Sequence, residues 1–363
     1  MTQASDEAAA SPRSTERLVV PDVLRGVAIL AMLIAHAMPL LMITARPVRF
    51  VVGNISDLAS PLFALVMGIS AQIVLQRTSP DDRWRMLLQQ AIRGLVLIAL
   101  GVWMGSWLTW VAVVLAHLGI LLILGVPILL LSTRWVIFVA IALTVVSEPI
   151  TAWARSSLAP AVSGSPIAAE ISSWLVFGDT YRVSNLLPFF LLGALLMRHG
   201  FRRDPYLWTM AVIAPIAYLI RPITERLTGA AETVSGTYAD TLHDLGLVLA
   251  VYVVIVLLAT VRSPGPRRAI SIAFEPFRAI GAVALSLYVV HVGLIAIWVD
   301  VGLYMTGPDY VRWLILVPGL VVAGWLWWRF IGVGPLEWLL GWVTGRPKRW
   351  RRASKTDAAA SGP

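Results

Sequence analysis

Ten apolar runs, separated by charged or Pro/Gly-rich breaks, constrain this chain more than any other feature. They cover residues 23–43, 56–76, 86–108, 111–132, 135–153, 184–198, 206–223, 242–261, 278–298 and 311–331. A run of about 20 such residues crosses the hydrocarbon of a bilayer. There every backbone N–H and C=O needs an internal partner, so only helices and closed barrels qualify. No ten-residue blocks alternate at period two, which excludes a barrel. Hydrophobic residues make up 58% of the 363 and charged residues 13%, whereas a soluble domain runs nearer half and a quarter. A water-soluble globular enzyme and a disordered chain are both excluded. The expected fold is an all-α, polytopic membrane protein of about ten transmembrane helices.

Residues 1–20 read as a disordered N-terminal stretch, 21–345 as one integral membrane domain, and 346–363 as a basic, disordered tail. No cleavage site separates the polar start from the first run, so the first helix is expected to be retained. The third and fourth runs are expected to be joined by a tight turn. With the N-terminus inside, nineteen of the 29 Lys and Arg residues fall on cytoplasmic segments and seven on outer loops, while Arg25, Arg93 and Arg329 lie within spans. This bias puts both termini in the cytoplasm. It also explains the net charge of +9 without nucleic acid. Only Lys348 and Lys355 among the basic residues are lysine, a bias that points to a GC-rich bacterial genome and hence a bacterial plasma membrane. Sixteen tryptophans suit interfacial belts. Cysteine is absent, which excludes disulfides and thiolate chemistry. The five histidines lack metal-ligand spacing, and no P-loop, dinucleotide glycine pattern or HExxH occurs, so neither a metal nor a resident cofactor is expected.

Ionisable groups inside spans are costly and mark functional candidates. Most fall toward the outer side: His36 in the first span, Asp57 opening the second, Glu148 ending the fifth, and Arg182 and Asn185 opening the sixth. His243 and Asp244 open the eighth, and His291 sits in the outer half of the ninth. Asp22, Arg25 and Arg93 lie in the inner third. This distribution predicts a polar outer chamber with a second polar site below it. Arg25 and His36 are eleven residues apart, almost three turns, so they share one helix face about 16 Å apart along the axis. Two readings fit that spacing. In one, Asp22 and Arg25 form an interfacial pair while His36 snorkels toward headgroups. In the other, both residues line a functional path.

The segment Pro21–His36, with Arg-Gly near its inner end and His36 eleven residues after Arg25, resembles the first helix of the acyltransferase family three membrane proteins. Asn54–Ile73, with Asp-Leu, Pro, Phe and then Met-Gly-Ile-Ser, resembles the second helix of the heparan-alpha-glucosaminide N-acetyltransferase family. Asn185–Arg198, Ile280–Ile295 and Gly334–Thr344 resemble the related YeiB-type bacterial proteins. The resemblance implies transfer of an acyl group, usually acetyl, from cytoplasmic acyl-CoA to a sugar hydroxyl or amine beyond the membrane. It implies that Arg25 lies near the donor and that His36 is the catalytic imidazole. The chain departs from the glucosaminide enzymes in having no histidine between Ala37 and Leu58, the loop that carries theirs. YeiB-type proteins commonly have Asn where His36 stands.

Histidine titrates near neutrality and can take a proton from an attacking hydroxyl or amine. The expected roles are therefore His36 as general base, Asp57 or Glu148 as its orienting carboxylate, and Arg25 with Arg93 as phosphate ligands for the co-substrate acyl-CoA. Acceptor binding is expected from Arg182, Asn185, His117, His243, Asp244, Tyr288 and His291. Structural alternatives stand beside several of these: a hydrogen-bonded core histidine for His291 and His117, helix capping for Asp244, and a helix kink at Glu148-Pro149. A secondary transporter or flippase for an envelope precursor is the rival function. The halves 1–150 and 200–345 show none of the related symmetry many transporters carry. The acceptor's identity, the acyl chain length, direct transfer against a covalent acyl-histidine intermediate, and the oligomeric state, a homodimer among the options, stay open.

Overall fold

The computed structural model describes residues 19–42, 45–229, 233–303 and 307–345. The expected N-terminal stretch lies outside these residues except for its last two, which begin the first helix, and the basic tail 346–363 lies wholly outside them. The described chain is all-α. It runs α1 (Val19–Ala37), α2 (Arg46–Gln76), α3 (Arg83–Gly105), α4 (Leu115–Ile128), α5 (Thr133–Trp153), α6 (Ala159–Val162), α7 (Pro166–Ser172) and α8 (Val183–His199). It continues through α9 (Pro205–Thr228), α10 (Tyr238–Ala259), α11 (Pro264–Ala282), α12 (Ala284–Asp300), α13 (Tyr310–Leu314), α14 (Leu320–Phe330) and α15 (Pro335–Val343). Among the described residues seven helices are long and apolar enough to cross a membrane, and an eighth span arises if α11 and α12, bent by 71° at their junction, count as one. The protein is a multi-pass membrane protein. The other two expected spans correspond to α4 and α8, only 14 and 17 residues long.

Side-chain ties show how the helices alternate. At the face where α1 begins, here the near face, Arg25 of α1 meets Ser70 late in α2. Arg198, ending α8, reaches the carbonyls of Leu129 and Leu131 after α4, and Gln72 late in α2. At the far face Asp57, early in α2, meets Arg221 late in α9, which also reaches Asp240 at the start of α10. The Asp309 N–H bonds the Leu40 carbonyl just past α1. Such antiparallel alternation is what short connections between apolar runs produce.

Without a hydrophobic drive between helices in lipid, close backbone approach needs small residues. A Cβ on Gly26 would stand 2.0 Å from the Phe277 carbonyl oxygen, and one on Gly281 would stand 2.4 Å from that of Asp22. α1 and α11 therefore touch backbone to backbone. Gly68 and Gly193 lock α2 to α8 in the same way, at 1.8 Å from Phe190 O and 1.9 Å from Leu65 O.

Prolines inside helices free carbonyls four residues earlier, and these become anchor points. Pro149 leaves the Val145 carbonyl without a helical donor, and the Tyr238 hydroxyl bonds it. Pro222 frees the Tyr218 carbonyl, which lies 3.1 Å from His243 Nδ1.

The expected tight turn between the third and fourth spans is corrected. Residues 106–114 form a non-helical connection, with Val111 and Val114 buried. Leu108 within it has φ 52°, the one non-glycine residue with positive φ among those described. Leucine is rarely held there, and such strain persists only where the surroundings over-determine it. Residues 154–183, between the fifth and sixth expected runs, are also largely helical, through α6, α7 and two π-turns. The ninth expected span, 278–298, is the end of α11 plus α12, bent at Val283.

Candidate active site

His36 occupies the last turn of α1 and His291 the second turn of α12. Their rings meet edge to edge, His36 Nδ1 to His291 Nε2 at 2.9 Å, with ring planes 6° apart. His291 is fully buried. Only one hydrogen fits between the two nitrogens, so one ring donates and the other accepts. The 106–114 connection completes the cluster. The Trp110 indole N–H donates to the His36 carbonyl at 3.0 Å, and the Val114 N–H donates to the Tyr288 hydroxyl at 3.1 Å. Irregular backbone at membrane depth is tolerated where protein encloses it or a cavity needs lining. Here it clamps the two helices that carry the histidines.

Below the pair lies a cavity of about 230 Å³. Arg25 of α1, Ser70 of α2, Gln90 and Arg93 of α3, and Glu337 of α15 line its polar part; Tyr288 lines it as well. The Arg25 guanidinium donates to Ser70 Oγ at 2.7 Å and lies 3.5 Å from Asp22 Oδ1. Glu337 accepts from the N–H groups of Leu285 and Ser286, at 2.6 and 3.2 Å, and from Ser286 Oγ at 2.5 Å. It thereby caps the start of α12 where the broken span opens. The Tyr288 ring stands edge-on to His291, centroids 5.1 Å apart. One ring therefore separates the cavity from the imidazole pair.

The far face carries a polar chamber of about 360 Å³. Asp57, Arg182, Asn185, Arg221, Asp240 and Asp244 wall it, with Tyr181 beside them. Arg221 binds Asp57 at 2.9 Å, Glu225 at 3.3 Å and Asp240 at 3.4 Å. Arg182 is buried and bonds the Gly178 carbonyl, Asn185 Oδ1 and Ser235 Oγ, the last two at 3.0 Å. Room for that guanidinium requires Gly236, where a Cβ would come within 2.2 Å and φ is +85°. His243 stacks on Tyr218 and turns Nε2 toward Asp57 at 3.8 Å. His117 lies edge-on to Tyr181 and Trp174. Asp244 makes no hydrogen bond or ion pair with the described residues.

Several expected placements change. Neither Asp57 nor Glu148 orients His36: Asp57 pairs with Arg221, and Glu148 accepts the Tyr238 N–H at 2.5 Å, capping α10. The partner of His36 is His291, which the sequence placed with the acceptor. Tyr288, also placed there, closes the inner cavity. Arg182 has most of its donors engaged by the chain itself, whereas Asn185 and Asp244 do wall the far chamber and His243 lies beside Asp57. Arg25 and Arg93 both line the inner cavity. Sequence reasoning missed Trp110, Ser70, Gln90, Arg221 and Glu337. Glu337 carried a signal, being the one charge in the apolar block Gly334–Thr344.

The family model described as an acyltransferase domain matches residues 19–334, which contain the histidine pair, the inner cavity except Glu337 and Leu340, and the far chamber. No curated protein matches the chain. The match favours acyl transfer over the transporter alternative. The chain belongs to acyltransferase family 3 and is a membrane acyltransferase.

Proposed function

We propose that the protein moves an acyl group, acetyl being the simplest, from cytoplasmic acyl-CoA to a hydroxyl or amine of an envelope glycan or glycolipid at the far face of a bacterial plasma membrane, with both termini on the cytoplasmic side. One observation carries this reading. Arg25 and Tyr288 line the same cavity, and Tyr288 touches the histidine pair. A guanidinium mouth and an imidazole end thus belong to one path.

Acyl-CoA places its phosphates at Arg25 and Arg93, which suit phosphate oxygens, and threads its pantetheine arm upward. The small volume takes the arm and leaves the nucleotide at the near face, since whole drug-sized ligands need about 300 Å³ or more. His36 donates through Nδ1–H to His291 Nε2, which leaves Nε2 of His36 with its lone pair. That nitrogen removes the proton as the acceptor oxygen or nitrogen attacks the thioester carbon. The C–S bond breaks, and the proton passes to the leaving thiolate, giving free CoA and an ester or amide. His291 is a positioning residue that stabilises the transient imidazolium. The Tyr288 hydroxyl accepts from Val114 and keeps its own proton for the thioester carbonyl oxygen. Holding two reactants in place supplies much of the acceleration for a substrate already activated.

The test compares envelope lipids and glycans by mass in a deletion strain carrying wild type or His36→Ala. Loss of one acyl modification, restored by wild type alone, is expected. A stably inserted His36→Ala protein that restores it overturns the proposal.

A further inference from the structure

An apolar groove adjoins the far chamber. It is about 340 Å³ in volume and runs between α5, α8 and α10, walled by residues such as Ile137, Ile141, Leu192 and Leu245. Its only hydroxyls are Thr144 and Thr241. Phe189 and Thr241 line both groove and chamber, so the two spaces share a wall. From Pro188 to Leu195 the groove follows α8 for about 10 Å toward the near face. Ile137, Ile141 and Val145 are 43, 59 and 57% exposed along it, open sideways to lipid. The Tyr238 bonds to Val145 and Glu148 fasten α5 to α10 at its far end.

The chamber's charges select the head that fits. Both guanidiniums are engaged: Arg221 by Asp57, Asp240 and Glu225, and Arg182 by backbone, Asn185 and Ser235. Asp244 is the carboxylate left open. An open carboxyl group hydrogen-bonds O–H or N–H groups, and neither guanidinium has its fork free for a phosphate.

We propose that the acceptor is a lipid-anchored sugar, its hydrocarbon chain lying in the α5–α8–α10 groove and its uncharged or amine-bearing head in the chamber beside Asp244. The word acceptor rests on the acyl-transfer reading; the binding does not. Because the chain is already in hydrocarbon before it binds, the groove contributes position more than affinity. It delivers the head sideways and fixes how the head is turned in the chamber.

The experiment uses the full chain in phosphatidylcholine nanodiscs and a dodecyl glucoside carrying a diazirine at its chain end. Crosslinks are expected within 137–145, 188–195 and 241–245. Plain dodecyl glucoside should reduce them at least fivefold, and dodecyl phosphate at equal concentration should not. Leu245→Trp, which fills the groove, should reduce labelling at least fivefold while acetyl-CoA binding stays at wild-type strength, showing that the fold survives. Labelling spread evenly over the lipid-facing helices and indifferent to competitor would mean that bulk lipid fills the groove, and overturns the proposal. Equal competition by dodecyl phosphate overturns the assignment of the head. His36→Ala should label as wild type does, so a failed transfer mechanism and a failed binding site give different results.

Discussion

His36 Nδ1 and His291 Nε2 lie 2.9 Å apart although 255 residues separate them in the chain. The pair makes the second histidine a support for the first. His36→Ala should lower the transfer rate by about 10²–10⁴-fold, the usual contribution of a positioned base. His291→Ala should cost less, and His291→Gln less again, because the Gln carbonyl still accepts from His36 Nδ1–H. Rates of acyl transfer by the three variants give the order; equal loss for Ala and Gln at 291 would contradict the positioning role.

Arg25 makes a charge-assisted bond to Ser70 at the cavity mouth. In the proposed donor site its guanidinium bonds a CoA phosphate instead, and a hydrogen bond to a charged group contributes about 1.5–3 kcal/mol. Arg25→Ala should therefore weaken acetyl-CoA binding by roughly 10- to 150-fold, as read by titration calorimetry on purified protein. Transfer at saturating donor should fall much less. Unchanged affinity would remove Arg25 from the donor site.

Gly26 and Gly53 sit in neighbouring helices and should respond oppositely to alanine. At Gly26 the new methyl meets the Phe277 carbonyl, while at Gly53 nothing lies within 4 Å. Gly26→Ala should destabilise the bundle by about 1–3 kcal/mol through overpacking, and Gly53→Ala should stabilise it by about 0.5–1 kcal/mol. Thermal unfolding in detergent measures both.

Tyr238 and Pro149 are coupled through the Val145 carbonyl. Tyr238→Phe strands that carbonyl and should cost about 1–3 kcal/mol. In a Pro149→Ala background the restored helical N–H serves the same oxygen, so the cost of Tyr238→Phe should shrink. A double-mutant cycle shows this as non-additivity; strict additivity would contradict it.

The membrane helices were legible because hydropathy reports directly on what can sit in lipid. All ten expected runs overlap helices, and Arg25 and Arg93, which line one cavity, stood out in the sequence because a guanidinium within an apolar run has few explanations. The histidine pair was not legible. Periodicity places His36 and His291 each on a face of its own helix but says nothing about which faces meet. Asp57 and Glu148 were misassigned for the same reason, since a carboxylate at a helix end serves a cap or an ion pair as readily as a base. The 106–114 connection was invisible because buried, non-helical backbone at membrane depth is apolar too, and hydropathy reads it as the end of one span and the start of the next.

The most direct test is sidedness. The protein is sealed into vesicles carrying a lipid extract from the source membrane on both leaflets, oriented with Arg25 outward, and acetyl-CoA labelled in its acetyl group is supplied only outside. The expected result is label on acceptor at the inner, His36-side leaflet, lost in His36→Ala and reduced in Arg25→Ala at limiting donor. Label that appears on the Arg25 side, or that persists undiminished without the His36 imidazole, would contradict a path joining these two residues.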